Sequence, residues 1–249
     1  MQLNHLNTKV ILDGTINLLK THKSTLIKYL LVPLTFLAIL ELYLLPDYVP
    51  HAKSALGFLY LLTNVLIFLI YANVAITIHR ALIVNKHGNF PRLGIKLGLT
   101  EFKYMLAILI TYLFPFAFYW ISSDWAYSLA LDGYSEDTLR VIYKALKFST
   151  ELCFIVVLSF WGLALPHIAI KNEISLSHAL SLSKGSRGAM FLSMLFVVLI
   201  TEAIYVLFSE FYYVDSILLL LLDWVAFTFI GVFSVAILSA TYRHVNIEH

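Results

Sequence analysis

The chain has 249 residues, 60% of them apolar and only 13% charged, with a formal net charge of +2. Its 17 basic and 15 acidic residues are too few to coat a soluble domain of this size, and the mean hydropathy of +0.84 excludes disorder. A single cysteine, Cys153, excludes an internal disulfide framework.

A helix crossing the hydrocarbon core of a bilayer needs about 20 apolar residues. Six stretches qualify. Ahead of the first, residues 8–20 place Val10, Ile11, Ile16, Leu18 and Leu19 on one face of a short helix, which is expected to lie in the headgroup layer. The first span covers 26–45 and the second 55–78. The second carries Asn64 and Asn73, expected to hydrogen-bond between helices. Residues 90–99 form a second interfacial segment despite Pro91, Gly94 and Gly98. The third span, 104–121, contains Pro115. Its outer end opens an aromatic belt of Trp120, Trp125, Tyr127, Tyr212 and Tyr213. The fourth span, 143–166, is expected to stop at Pro166. Residues 174–184 form a third interfacial helix, because a lone strand there would leave its edges unpaired. The fifth and sixth spans cover 190–208 and 216–242. The stretches are apolar on every side, which argues against a membrane barrel of alternating strands.

The fold class is therefore all-α: one polytopic membrane domain, 1–249, with six transmembrane helices. They fall into three repeats of an interfacial helix followed by a transmembrane hairpin. A histidine closes each returning helix, at His79, His167 and His244. Thirteen of the seventeen basic residues fall on the side of the N-terminus: Lys9, Lys20, Lys23, Lys28, Arg80, Lys86, Arg92, Lys96, Lys103, Lys171, Lys184, Arg187 and Arg243. By the positive-inside rule both termini are cytoplasmic. The first 24 residues are too polar for a cleavable signal core. A bacterial inner membrane is the expected location.

Ionisable residues inside a span are costly and carry a functional hypothesis by default. Glu41, Glu151, Glu202 and Asp223 all fall in the outer half of their spans, within ~6–12 Å of the surface at the helical rise. On the fourth span Arg140, Lys144, Lys147 and Glu151 are spaced by four, three and four, which puts them on one face. Arg140, Lys144, Lys147, Glu151, Glu202 and Asp223 thus form a candidate outer-leaflet polar cluster. It is either a water-filled vestibule or a network in which the lysines neutralise the acids. Glu41 is expected to reach water. The three terminal histidines could hold zinc. However, they have no carboxylate nearby in sequence and no short His–His spacing, and histidine is ordinary at a helix C-terminus. No metal, cofactor or catalytic residue is expected. Nucleotide-binding glycine motifs, the zinc-protease motif and the nucleophile elbow are all missing from the sequence. The basic residues track the membrane surface, so no nucleic-acid partner is expected.

The stretch Trp161-Gly162-Leu163-Ala164-Leu165-Pro166, the following Ser175-Leu176 and Ala179-Leu180, and the small, basic run Ser183-Lys184-Gly185-Ser186-Arg187-Gly188 resemble a pattern in uncharacterised bacterial multi-spanning proteins, the YciC-like family, and in the membrane domain of glycerophosphodiester phosphodiesterases. His79-Arg80 looks like the end of an earlier span in the same proteins. This chain departs from the pattern with Ile78 in place of a tryptophan and His167 in place of a small residue. The resemblance covers the second to fifth spans. It implies a six-helix membrane module of unknown activity and carries over no catalytic residue. The expected role is a non-enzymatic accessory or lipid-interacting module, with membrane lipids and a membrane protein as partners. The alternative is a small transporter or channel using the outer vestibule.

Overall fold

A computed structural model of the chain describes residues 6–44, 55–84, 98–131, 134–209 and 217–247, and every regular element among them is helical. Helix α1 (Thr8–Ile39) starts at Asn7, whose side chain accepts a hydrogen bond from the Val10 amide at 2.9 Å. It runs without a break through Pro33 into a π-helical turn, Leu40–Leu44. The expected separate surface helix at 8–20 is thereby corrected, because it is the first part of α1. Residues 20–25, Lys-Thr-His-Lys-Ser-Thr, contain no glycine or proline to stop a helix. The buried face simply continues from Ile11 and Thr15 to Leu26 and Leu30.

Helix α2 (Ala55–Ile83) and helix α3 (Leu99–Leu131) both outrun their expected apolar cores. Helix α3 also passes through Pro115 uninterrupted. The expected interfacial segment 90–99 lies outside the described residues apart from Gly98 and Leu99, and Leu99 is already the first residue of α3. Tyr212 and Tyr213 of the aromatic belt also lie outside the described residues, whereas Trp120, Trp125 and Tyr127 are exposed on α3.

Helix α4 (Glu136–Trp161) is capped by Ser135 and ends at Gly162. Helix α5 (Ala164–Lys171) then leaves at a bend of 49°. The expected stop at Pro166 is therefore corrected: the break comes four residues earlier. A side chain at Gly162 would press on the Leu158 carbonyl and come 2.9 Å from Leu238 Cδ2 of helix α8 (Ile217–Ile247). Pro166 falls in the first turn of α5, where a missing N–H leaves no bond unmade. Asn172 ends α5 with φ of 58°, a left-handed conformation that asparagine tolerates.

Helix α6 (Leu176–Ser183), capped by Ser175, is helical as the 174–184 reading expects. It folds back on the end of α4. Ser183 Oγ donates to the Phe160 carbonyl at 2.8 Å, and the Arg187 guanidinium, at the start of helix α7 (Arg187–Ser209), lies 4.4 Å over the Phe160 ring.

Five described stretches are long and apolar enough to cross a membrane: Thr8–Leu42, Leu62–Ile83, Leu99–Leu129, Arg187–Phe208 and Leu218–Asn246. The bent pair α4–α5 is a sixth if counted as one span. The three expected repeat units are not alike here. The first surface segment is fused to its span, the second lies largely outside the described residues, and the third is a separate helix. Two apolar cores hold the helices. One joins Ile11, Tyr104, Ile155, Leu163, Ile168, Met190 and Ile237. The other joins Leu26, Leu30 and Leu37 of α1 to Ile70, Ile78 and Leu82 of α2. The outward faces are apolar as well, with Leu113, Phe114 and Ile121 mostly exposed, as suits contact with hydrocarbon rather than water. The start of α1 packs beside the end of α8, so both lie at one end of the bundle, called here the terminal end.

Candidate functional site: an apolar cleft with an acidic mouth

The terminal end of the bundle is closed by a buried polar layer. His79 on α2 is fully buried, with Nδ1 at 2.8 Å from Ser239 Oγ of α8 and Nε2 at 2.9 Å from Tyr104 Oη of α3. Ser239 donates its one hydroxyl proton to the Val235 carbonyl, so it accepts from His79 Nδ1–H. The Nε2 atom is then the acceptor for the Tyr104 hydroxyl. One residue on, Arg80 donates from Nε to the Ala169 carbonyl at 2.9 Å and lies 4.0 Å from the buried Glu101 carboxylate. Thr100 and Lys103 of α3 reach the side chain and the carbonyl of Asn172 at 3.0 and 2.7 Å. These contacts tie α2, α3, α5 and α8 together where a single unpaired group would be costly.

The three candidate histidines are not brought to one point. His79 is taken up by Ser239 and Tyr104. His167 has Nδ1 at 3.1 Å from Tyr242 Oη, with its ring 4.8 Å from that of His178. His244 lines a groove beside Arg243 at the start of α1. Among the described residues no three His, Cys, Asp or Glu side chains are placed to hold a metal ion.

The candidate polar cluster divides. Lys147 Nζ donates to Glu202 Oε1 at 2.7 Å, lies 3.7 Å from Glu151 and stacks 4.4 Å over the Tyr205 ring. It thus joins α4 to α7 in the half-exposed network that the neutralising reading describes. Arg140 and Lys144 are exposed and make no ion pair among the described residues. Asp223 belongs to a different feature, described next, whose walls include none of Lys147, Glu151 and Glu202.

That feature is a cleft of about 800 Å³ between α1, α2 and α8 on one side and α3, α4 and α7 on the other. Its walls are mostly apolar: besides α8, Leu34 of α1, Phe68 and Val74 of α2, Ile108 of α3, Phe154 of α4, Leu165 of α5 and Met194 of α7 line it. From Leu220 to Leu238 it follows α8 for roughly 27 Å at the helical rise. Tyr104, the partner of His79, lines its inner end. At the opposite end Glu41 and Asp223 line the mouth. Glu41 does not simply reach out to water. Its Oε2 accepts from Tyr71 Oη at 2.9 Å and from Trp224 Nε1 at 2.7 Å, which fixes the carboxylate against α2 and α8. The π-helical turn that follows α1 begins at Leu40 and carries Glu41 to this position. Sequence reading missed this grouping because Glu41 and Trp224 are 183 positions apart. The available signal was an acid near a span end together with a tyrosine and a tryptophan in apolar stretches that had no other use for a hydrogen bond.

No family model, curated protein or solved structure matches this chain.

Proposed function

We propose that the chain is a six-span membrane protein with cytoplasmic termini that holds a lipid in the cleft and acts as a non-enzymatic lipid-binding module. The α4–α5 pair counts as one bent span in this reading. The observation that carries it is the cleft itself. Its volume, about 800 Å³, lies within the range of small-molecule sites, its walls are mostly apolar, and its two carboxylates, Glu41 and Asp223, sit together at one end. That pattern suits an acyl chain along α8 with a polar head near Glu41 and Asp223. The YciC-like resemblance implies a six-helix membrane module and carries no activity of its own.

Gly231 gives the experiment. It lines the cleft, and a side chain added there meets nothing within 4 Å. Gly231→Phe therefore starts a large side chain into the cleft from a position where its Cβ is free. The wild type, purified gently from its own membrane and analysed by native mass spectrometry, retains lipid, and the variant retains about tenfold less, as overpacking of the site implies. Equal retention by both proteins overturns the reading. A second reading, a small transporter, draws on the same acidic mouth. Substrate uptake by the isolated protein in liposomes would favour it over the module.

A further inference from the structure

A second groove, about 420 Å³, runs between the first half of α1 and the end of α8. Residues 10, 14, 17, 18, 21 and 22 of α1 lie on one helical face, and α8 crosses that face with Ala240, Arg243 and His244. The polar lining is one-sided. His22, Arg243 and His244 contribute basic side chains, Asn17 and Thr21 supply hydrogen-bond donors, and among the described residues no carboxylate lines the walls. Arg243 is half-buried, yet it makes no hydrogen bond or ion pair among the described residues. A half-buried guanidinium beside an imidazole, with no acid between them among the described residues, is an arrangement that favours an anion. The remaining lining is apolar: Leu6, Val10, Ile11 and Leu18.

We propose that this groove binds the phosphate of an anionic phospholipid, with Arg243 and His22 on the phosphate and the apolar wall along the upper part of the chains. A free phosphate would use the basic end but would have no use for the leucine, valine and isoleucine beside it. Basic pockets between membrane helices suit such headgroups. The inference rests on the membrane reading above but not on the cleft, whose walls share no residue with this groove.

Two variants test it. Arg243→Gln removes the cation. Gly14→Phe fills the groove from α1, where an added side chain meets nothing within 4 Å. Wild type and variants are placed in nanodiscs of phosphatidylcholine alone and of phosphatidylcholine with a minor share of phosphatidylglycerol. Lipid retention is then read by native mass spectrometry, with the thermal unfolding midpoint as the check of folding. The expected result is that the wild type prefers phosphatidylglycerol, that each variant lowers this preference about tenfold, the scale of one charge-assisted hydrogen bond, and that Gly231→Phe leaves it intact. A wild type without preference, or well-folded variants that keep it, would overturn the proposal. Retention abolished by added inorganic phosphate would reassign the groove to free phosphate and overturn the lipid assignment. Loss of preference in Gly231→Phe but not in Gly14→Phe would move the anionic lipid to the cleft.

Discussion

At the scale of single residues, the polar side chains divide into those that fasten helices and those that face a space. His79 is of the first kind. Its two ring nitrogens are both used, one by Ser239 and one by Tyr104, and the ring is wholly buried. His79→Leu therefore leaves the Tyr104 hydroxyl without its partner and costs about 2 kcal/mol in stability. Adding Tyr104→Phe to that variant recovers part of the loss, because no orphaned hydroxyl remains. Unfolding of the three proteins in detergent checks this. A double variant less stable than His79→Leu by the full effect of a second independent lesion would show that the two groups are not a pair. Glu41 is of the second kind. Tyr71 and Trp224 hold its carboxylate, but the acid still lines the cleft mouth. That acids would cluster in one half of the spans was readable from their depth in the apolar stretches. Which acid would meet which base was not, because pairing depends on how the helices turn about their axes. The same uncertainty explains why Lys147 takes Glu202 and Glu151 while Asp223 joins Glu41 around a different space.

At the scale of elements, the apolar stretches were legible in sequence and their ends were not. Hydropathy finds where a helix is buried in hydrocarbon, but a helix continues for as long as nothing breaks it. The polar run 20–25 between the surface segment and the first span contains no breaker, so α1 is one helix rather than two. Proline misled at one position. Pro33 and Pro115 lie inside helices, as the expected spans have them, but Pro166 starts a helix instead of ending one. The residue that breaks the fourth span is Gly162, whose lack of a side chain admits both its own turn and Leu238 of α8. Gly162→Ala consequently lowers stability by about 2 kcal/mol, whereas Pro166→Ala changes it by less than about 1 kcal/mol. Thermal unfolding of the two variants side by side checks the contrast, and equal losses would place the break's determinant elsewhere.

At the scale of the whole molecule, membrane character was readable from composition alone, and the sorting of basic residues gives a specific orientation. In a Cys153→Ser background, an impermeant thiol reagent added outside intact cells should label Lys53→Cys. It should label Lys96→Cys only after the membrane is permeabilised. The reverse pattern would invert the proposed topology, and labelling of both from outside would remove the span between them. The cleft was invisible to this level of reading, since it is a property of how two groups of helices fail to meet rather than of any stretch of chain. Its lining draws on both cores, with Val74 and Ile78 from one and Tyr104, Leu158 and Met194 from the other. The lipid proposed for the cleft would add dispersion contacts to the helices around it, so its binding and folding would be thermodynamically linked. With the lipid proposed above in the cleft, the stability of this chain would not be a fixed number but a function of that lipid's chemical potential. A membrane in which that molecule became scarce would hold a looser, shorter-lived protein without any change in its sequence.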